Sequence, residues 1–169
     1  VLVLPWHMYS PLEWLPNRMP NIAVPVQMFF ARQEVISADN WETPTSYTDS
    51  NNLVSRYVER FIVESDGSED FSGLLAPLNA KYVMIVKAAD YERYDFLWDD
   101  GSIQLIEESD TIALFRNLRP VSIAYLGDQS RPIFDIASFE HLTPLQLVGR
   151  SPLSYRIEIP RGSSGSRVV

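Results

Sequence analysis

No cysteine occurs in the 169 residues. Disulfides, thiolate nucleophiles and zinc sites built on thiolates are therefore excluded. Histidine is nearly as scarce, with His7 and His141 the only two, so a histidine-based zinc site would need carboxylates for its remaining ligands. Lysine is confined to Lys81 and Lys87, and 14 basic residues stand against 22 acidic ones, a net charge of −8. Nucleic-acid affinity rests on neutralising phosphates with Lys and Arg. No basic stripe is present, so no nucleic-acid partner is expected, and attraction to anionic head groups is disfavoured for the same reason. The seven glycines are scattered and form no phosphate loop, dinucleotide fingerprint or G-x-S-x-G elbow. No apolar run approaches the roughly 20 residues that span a bilayer as a helix. Val1-Leu-Val-Leu-Pro5 lacks the basic start and long apolar stretch of a signal peptide.

What the chain does contain is a core. Hydrophobic residues make up 46% and charged residues 21%, a balance that excludes disordered, collagenous and coiled-coil chains. The length suits one domain, or one domain with part of a second. Twelve prolines favour extended segments and bends over long helices. Both ends are apolar, Val1–Leu4 and Val168-Val169, whereas natural ends are mostly polar. The expectation is a piece of a longer protein.

Val1–Leu4 is a continuous apolar run, the pattern of a strand buried on both faces. Residues 6–22 read as an irregular loop with three prolines and many aromatics. Val24–Phe30 reads as strand or helical turn, Gln33–Ile36 as a strand, and Ser37–Asn52 as a polar loop. Asp49 or Ser50 is expected to cap a helix running to Val63, with Leu53, Tyr57, Val58, Phe61 and Ile62 on one face. Ser65–Asp70 reads as an acidic turn. Phe71–Leu78 reads as a short helix, Tyr82–Val86 as the strongest strand, Asp90–Trp98 as a helical turn, and Asp99–Ser102 as a turn. Ile103–Glu107 and Thr111–Arg116 are expected to pair as a hairpin. Val121–Leu126 and Ile133–Ile136 are weaker strands. Leu153–Ile159 alternates like a half-buried antiparallel strand, and Val168 restarts an apolar strand.

Candidate chemistry is sparse. Glu64, Asp66, Glu69 and Asp70 surround Gly67 but lack the spacing of a calcium loop, and a solvated turn is the favoured reading. Asp99-Asp100-Gly101 reads as a turn, and His7 as a packed, hydrogen-bonded residue of the aromatic loop. No carboxylate pair stands out as an acid and base, and no metal or cofactor is expected. The aromatic loop is the most unusual feature. Trp6, Tyr9, Trp14 and Trp41 are the candidate binding residues, since exposed rings could stack on sugar faces or meet a partner. Packing within the core is the competing reading.

Several stretches together carry a resemblance. They are Val1-Leu-Val-Leu-Pro-Trp-His7, Asn21 with Phe29-Phe30, Val35-Ile-Ser-Ala-Asp-Asn40, Leu74-Leu-Ala-Pro-Leu-Asn-Ala-Lys-Tyr-Val-Met-Ile85, Ile103-Gln-Leu-Ile-Glu107 and Ile112-Ala-Leu-Phe-Arg-Asn117. The pattern resembles the extracytoplasmic soluble region that follows the membrane part of large prokaryotic proteins. Those proteins are similar to the C-type, polyprenyl-phosphate-sugar-dependent glycosyltransferases and to YfhO-like membrane proteins. There an N-x-K-Y-hydrophobic strand and a hydrophobic-aromatic-R-N strand recur, and a strand like Ser154–Pro160 opens a β-sandwich. The family's catalytic acid lies in a loop between membrane helices, so the resemblance assigns no catalytic residue here. It implies an extracytoplasmic location and a supporting role in acceptor binding, folding or partner contact. The implied partners are the transmembrane and C-terminal parts of the same protein and a glycan or lipid-linked sugar.

The expected fold is α+β or α/β, with a mixed sheet built on Val1–Leu4, Tyr82–Val86 and the 103–116 hairpin under a few short helices. Residues 1–138 are expected to form this unit, and 139–169 a linker and the first strand of a β-rich unit. The leading functional expectation is a non-catalytic extracytoplasmic domain of a membrane glycosyltransferase-like protein. Two alternatives stand beside it: a free-standing carbohydrate- or protein-binding module using the aromatic loop 6–41, and a small hydrolase with an unrecognised carboxylate site.

Overall fold

The computed structural model describes residues 1–10, 12, 22–23, 34–43, 46–63, 70–119, 122, 124–128, 143–151, 154–161 and 166–168. Its centre is a four-stranded mixed sheet, and the fold is α+β. The strands are β1 (Leu2–Leu4), then, after the short strands β2 (Tyr9–Ser10), β3 (Ile22–Ala23), β4 (Trp41–Thr43) and β5 (Ser46–Thr48), β6 (Tyr82–Val86), β7 (Ile103–Glu108) and β8 (Ile112–Asn117). Their spatial order is β1-β6-β8-β7. β1 runs parallel to β6, with Leu2 opposite Val83 and Leu4 opposite Ile85. β8 is antiparallel to both β6 and β7. On its other edge β1 meets Ile36: Val3 N–H donates to the Ile36 carbonyl at 2.9 Å and Ile36 N–H to the Val1 carbonyl at 2.8 Å.

The continuous apolar character of β1 and β6 has a direct cause: both sheet faces are covered. Leu2, Leu4, Val83, Ile85, Ala113 and Phe115 point to one face and join the main core. Val3, Met84 and Val86 point to the other and pack with Leu12 and Ala88. A strand buried on both sides has no position at which a polar side chain is cheap.

The helical cover sits on the main-core face. α1 (Leu53–Val58) continues as one π turn over Glu59–Val63, and α2 (Phe71–Leu74) follows. A 3-10 helix spans Tyr91–Trp98. Tyr57, Val58, Ile62, Phe71, Leu75, Tyr94 and Leu97 are buried against the sheet. The Tyr57 hydroxyl donates to the Leu74 carbonyl at 3.0 Å and so ties α1 to α2. Two details differ from the sequence reading. The cap is Asn52, whose side chain accepts from Val54 N–H at 2.9 Å, while the expected Ser50 accepts from Asn52 N–H instead. Leu53, the first residue after that cap, stays 60% exposed, so the packed face begins at Tyr57. The stretch read as a polar loop also holds the small β4–β5 hairpin, with Trp41 opposite Thr48.

The 103–116 hairpin forms as expected, and a bulge between Leu105 and Glu107 bends its outer strand. Further along, β9 (Tyr125–Asp128), β10 (Thr143–Pro144), β11 (Gln146–Ser151), β12 (Ser154–Glu158) and β13 (Ser166–Val168) complete the described strands. β11 and β12 form an antiparallel hairpin, matching the alternation read in 153–159. β9 lies between β10 and β13, so a backbone ladder joins residues on both sides of position 138. Ile133–Ile136 and Val24–Phe30 lie outside the described residues.

Phe115 is fully buried and meets Trp98 edge-on, with ring centroids 4.9 Å apart. Truncation there removes a large side chain from a close-packed layer. Phe115→Ala is expected to destabilise the chain by about 3–5 kcal/mol, read as a lower midpoint in chemical unfolding.

Candidate functional site

The aromatic candidates do not assemble into a surface among the described residues. Trp6 is 3% exposed and belongs to the same buried cluster as Leu4, Tyr57 and Tyr94. It therefore offers no ring face for stacking on a sugar. The physical reason is local: the chain bends sharply after Pro5 and turns the indole into the core. Tyr9 is half-buried in β2, which pairs with β3. Trp14, the side chain of Trp41, His141, and Glu64, Asp66 and Glu69 of the acidic cluster lie outside the described residues.

The densest polar constellation lies instead at the carboxyl ends of the parallel pair. Both strands leave the sheet through three-residue bends: His7 N–H donates to the Pro5 carbonyl at 2.9 Å, and Ala88 N–H to the Val86 carbonyl at 2.7 Å. The second bend is followed by Ala89 in the left-handed region, φ 52°, which is strained for a residue with a Cβ. These two loops meet through side chains. His7 Nε2 and Asp90 Oδ1 are 2.9 Å apart. Arg93 donates from one guanidinium nitrogen to Asp90 Oδ2 at 3.2 Å and from the other to the Val63 carbonyl at 2.9 Å. One carboxylate thus links the loop after β1, the loop after β6 and the end of the π turn.

Electrostatics follow from that geometry. Partial burial pushes the Asp90 carboxyl up, but hydrogen bonds to His7 and Arg93 and the charge interaction with His7 outweigh it, so its pKa lies below the usual carboxylate value. Burial, with the Asp90 charge beside it, raises the Tyr94 phenol to about 12. Next to this cluster, Lys87 Nζ reaches Glu108 Oε1 at 2.7 Å and Trp98 Nε1 donates to Glu108 Oε2 at 3.3 Å. Those bonds lower the Glu108 pKa.

The other acidic residues singled out from the sequence serve the framework. Asp70, at φ 130°, caps α2 by accepting from Gly73 N–H at 3.2 Å, and its other oxygen takes Arg119 at 2.8 Å. A Cβ at Gly73 would run into that carboxylate, which is why glycine stands there. Asp100 accepts from both the N–H and the hydroxyl of Ser102 and closes the expected turn. No group of three or more metal-ligating side chains occurs among the described residues. His7 packs and bonds as expected, and one of its partners, Asp90, is 83 residues away. The available signal was a histidine three residues past one apolar strand and an aspartate four past another.

The Asp90 pair makes stability pH-dependent. In the folded state Asp90 holds its proton less tightly than in the unfolded chain, so its contribution is complete above the unfolded carboxyl pKa, and it is lost as pH falls through the lower folded value. The difference in unfolding free energy between the chain and Asp90→Asn is expected to shrink as pH falls through the carboxyl range. A difference that grows in acid would contradict the pairing.

No family model matches the chain, and neither does any curated protein or solved structure.

Proposed function

We propose that this chain is a non-catalytic extracytoplasmic domain of a prokaryotic membrane protein similar to the polyprenyl-phosphate-sugar-dependent glycosyltransferases, and that it supports binding of a glycan acceptor or of other parts of the same protein. One observation carries the reading: the two motifs behind the resemblance are neighbouring framework strands that hold each other in place. Tyr82 of the N-x-K-Y segment lies opposite Arg116 of the aromatic-R-N segment. Asn79 takes the left-handed turn conformation, φ 49°, that asparagine tolerates. Asn117, 4% exposed, donates from its backbone N–H to the Lys81 carbonyl at 2.9 Å and from its side chain to the Ser72 carbonyl at 3.2 Å. Its side-chain oxygen accepts from Arg119 N–H at 2.9 Å.

Residues of this kind recur for folding, not for bond-making. A domain whose shared pattern is structural fits a supporting role beside a catalytic centre carried elsewhere in the protein. No helix among the described residues is long and apolar enough to cross a membrane, so in this reading other segments supply the anchor.

Asn117→Leu is expected to cost about 1–3 kcal/mol, because it strands the buried Ser72 carbonyl and removes the acceptor of Arg119 N–H; thermal or chemical unfolding reads it. The functional reading itself is tested by sequencing the reading frame on both sides of residues 1–169. Several apolar runs of about 20 residues upstream and further β-strands downstream are the expected result. A start codon just before Val1 and a stop just after Val169 would sink it.

A further inference from the structure

We propose that the exposed face of the His7–Asp90–Arg93 cluster, where the loops after β1 and β6 meet, binds a neutral, polyhydroxylated ligand, a sugar ring whose adjacent hydroxyls are taken by the Asp90 carboxylate and the Arg93 guanidinium beside His7. This deepens the glycan-binding part of the preceding reading and rests on it for the source of the sugar.

Position is the first argument. In sheets with parallel strands, ligands bind outside the carboxyl ends, where the loops diverge from the strand edges. Here the only parallel pair among the named strands ends in two tight bends that bring His7 and Asp90 together. Accessibility is the second. The side chains of His7, Asp90 and Arg93 are 30%, 39% and 54% exposed, so a ligand can reach groups that the fold nonetheless holds in place.

Bonding capacity sets the ligand's chemistry. An ionised carboxylate offers about four lone-pair positions. Asp90 uses its own backbone N–H, His7 and Arg93, which leaves room for one hydroxyl donor. Arg93 has five N–H donors and spends one on Asp90 and one on the Val63 carbonyl. A neighbouring hydroxyl can therefore accept from Arg93 while its partner donates to Asp90. Charge excludes the competitors. The Asp90 carboxylate and the net charge of −8 repel an anion, and a divalent cation needs more oxygen ligands than are gathered here.

One further observation falls at the same place. Ala89 stores backbone strain one residue before Asp90, and such strain concentrates at ligand clamps.

The test is a titration of the chain with glucose, mannose, galactose and N-acetylglucosamine and their short oligomers, followed by NMR at the Arg93 guanidinium and the His7 ring. Inorganic phosphate is titrated in parallel. Saturable shifts at both residues are expected with at least one sugar and not with phosphate. Losing a hydrogen bond to a charged group should weaken binding roughly tenfold, in Asp90→Asn and also in Arg93→Ala, which leaves the His7–Asp90 contact intact. Circular dichroism checks that both variants stay folded. No shift with any sugar overturns the site, and shifts with phosphate alone overturn the ligand class. Sugar binding that neither variant weakens overturns the site and leaves the glycan-binding reading standing. A sugar bound here by a chain whose reading frame carries no membrane spans would keep the site and sink the membrane-protein reading.

Discussion

Two short strands without a charged side chain, Leu2–Leu4 and Tyr82–Val86, lie side by side in parallel and are buried on both faces. The rest of the four-stranded sheet and its helical cover answer that constraint. A parallel connection cannot be made by a tight turn and needs a long crossover. Residues 5–81 supply it, with α1, the π turn and α2 as the part that covers the main core. β7 runs in the direction of β6 with β8 between them, so residues 87–102, with the 3-10 helix, make a second crossover, and the β7–β8 hairpin then fills the gap.

Magnitudes separate framework from decoration. Burying a side chain of Leu, Ile, Val or Phe is worth about 1.5–3 kcal/mol, and sixteen buried residues form the main cluster. An exposed ion pair contributes about 0–1 kcal/mol. The pairs Lys87–Glu108, Arg93–Asp90 and Arg119–Asp70 therefore do not hold the sheet together. What they do is set direction. Asp70, Asp90 and Asp100 each stand at the entry or exit of an element and bind N–H groups or cations there, so that loops of arbitrary length leave the core at defined angles.

This division explains where the polar chemistry collects. The apolar strands leave no room for polar groups inside the sheet, and the only places where side chains of opposite charge can meet without burial are the ends. His7 and Asp90 meet at such an end because Leu4 and Ile85 are opposite each other in register. Trp6, by contrast, belongs to the core because the bend after Pro5 rotates it inward. The two residues are neighbours in the chain and serve opposite purposes.

The sequence by itself determined the strands. Val1–Leu4 and Tyr82–Val86 were legible because burial dictates side-chain polarity one residue at a time, whereas the 103–116 hairpin and the strand in 153–159 were legible from strand-forming residues and turn signals, since Leu105, Ile106 and Ile159 stay exposed. The framework asparagine and aspartate turns were legible in part, since their bonds are local. The start of α1 was less so: Asp49, Ser50 and Asn52 are all competent caps, and only the packing of Tyr57 and Val58 selects among them. Only the tertiary structure decided that β1 is parallel to β6, that Trp6 is core, and that His7 and Asp90, 83 residues apart, share a proton-bearing contact. Strand order and inter-loop distance depend on how separate segments pack, and no local pattern of residue types encodes them.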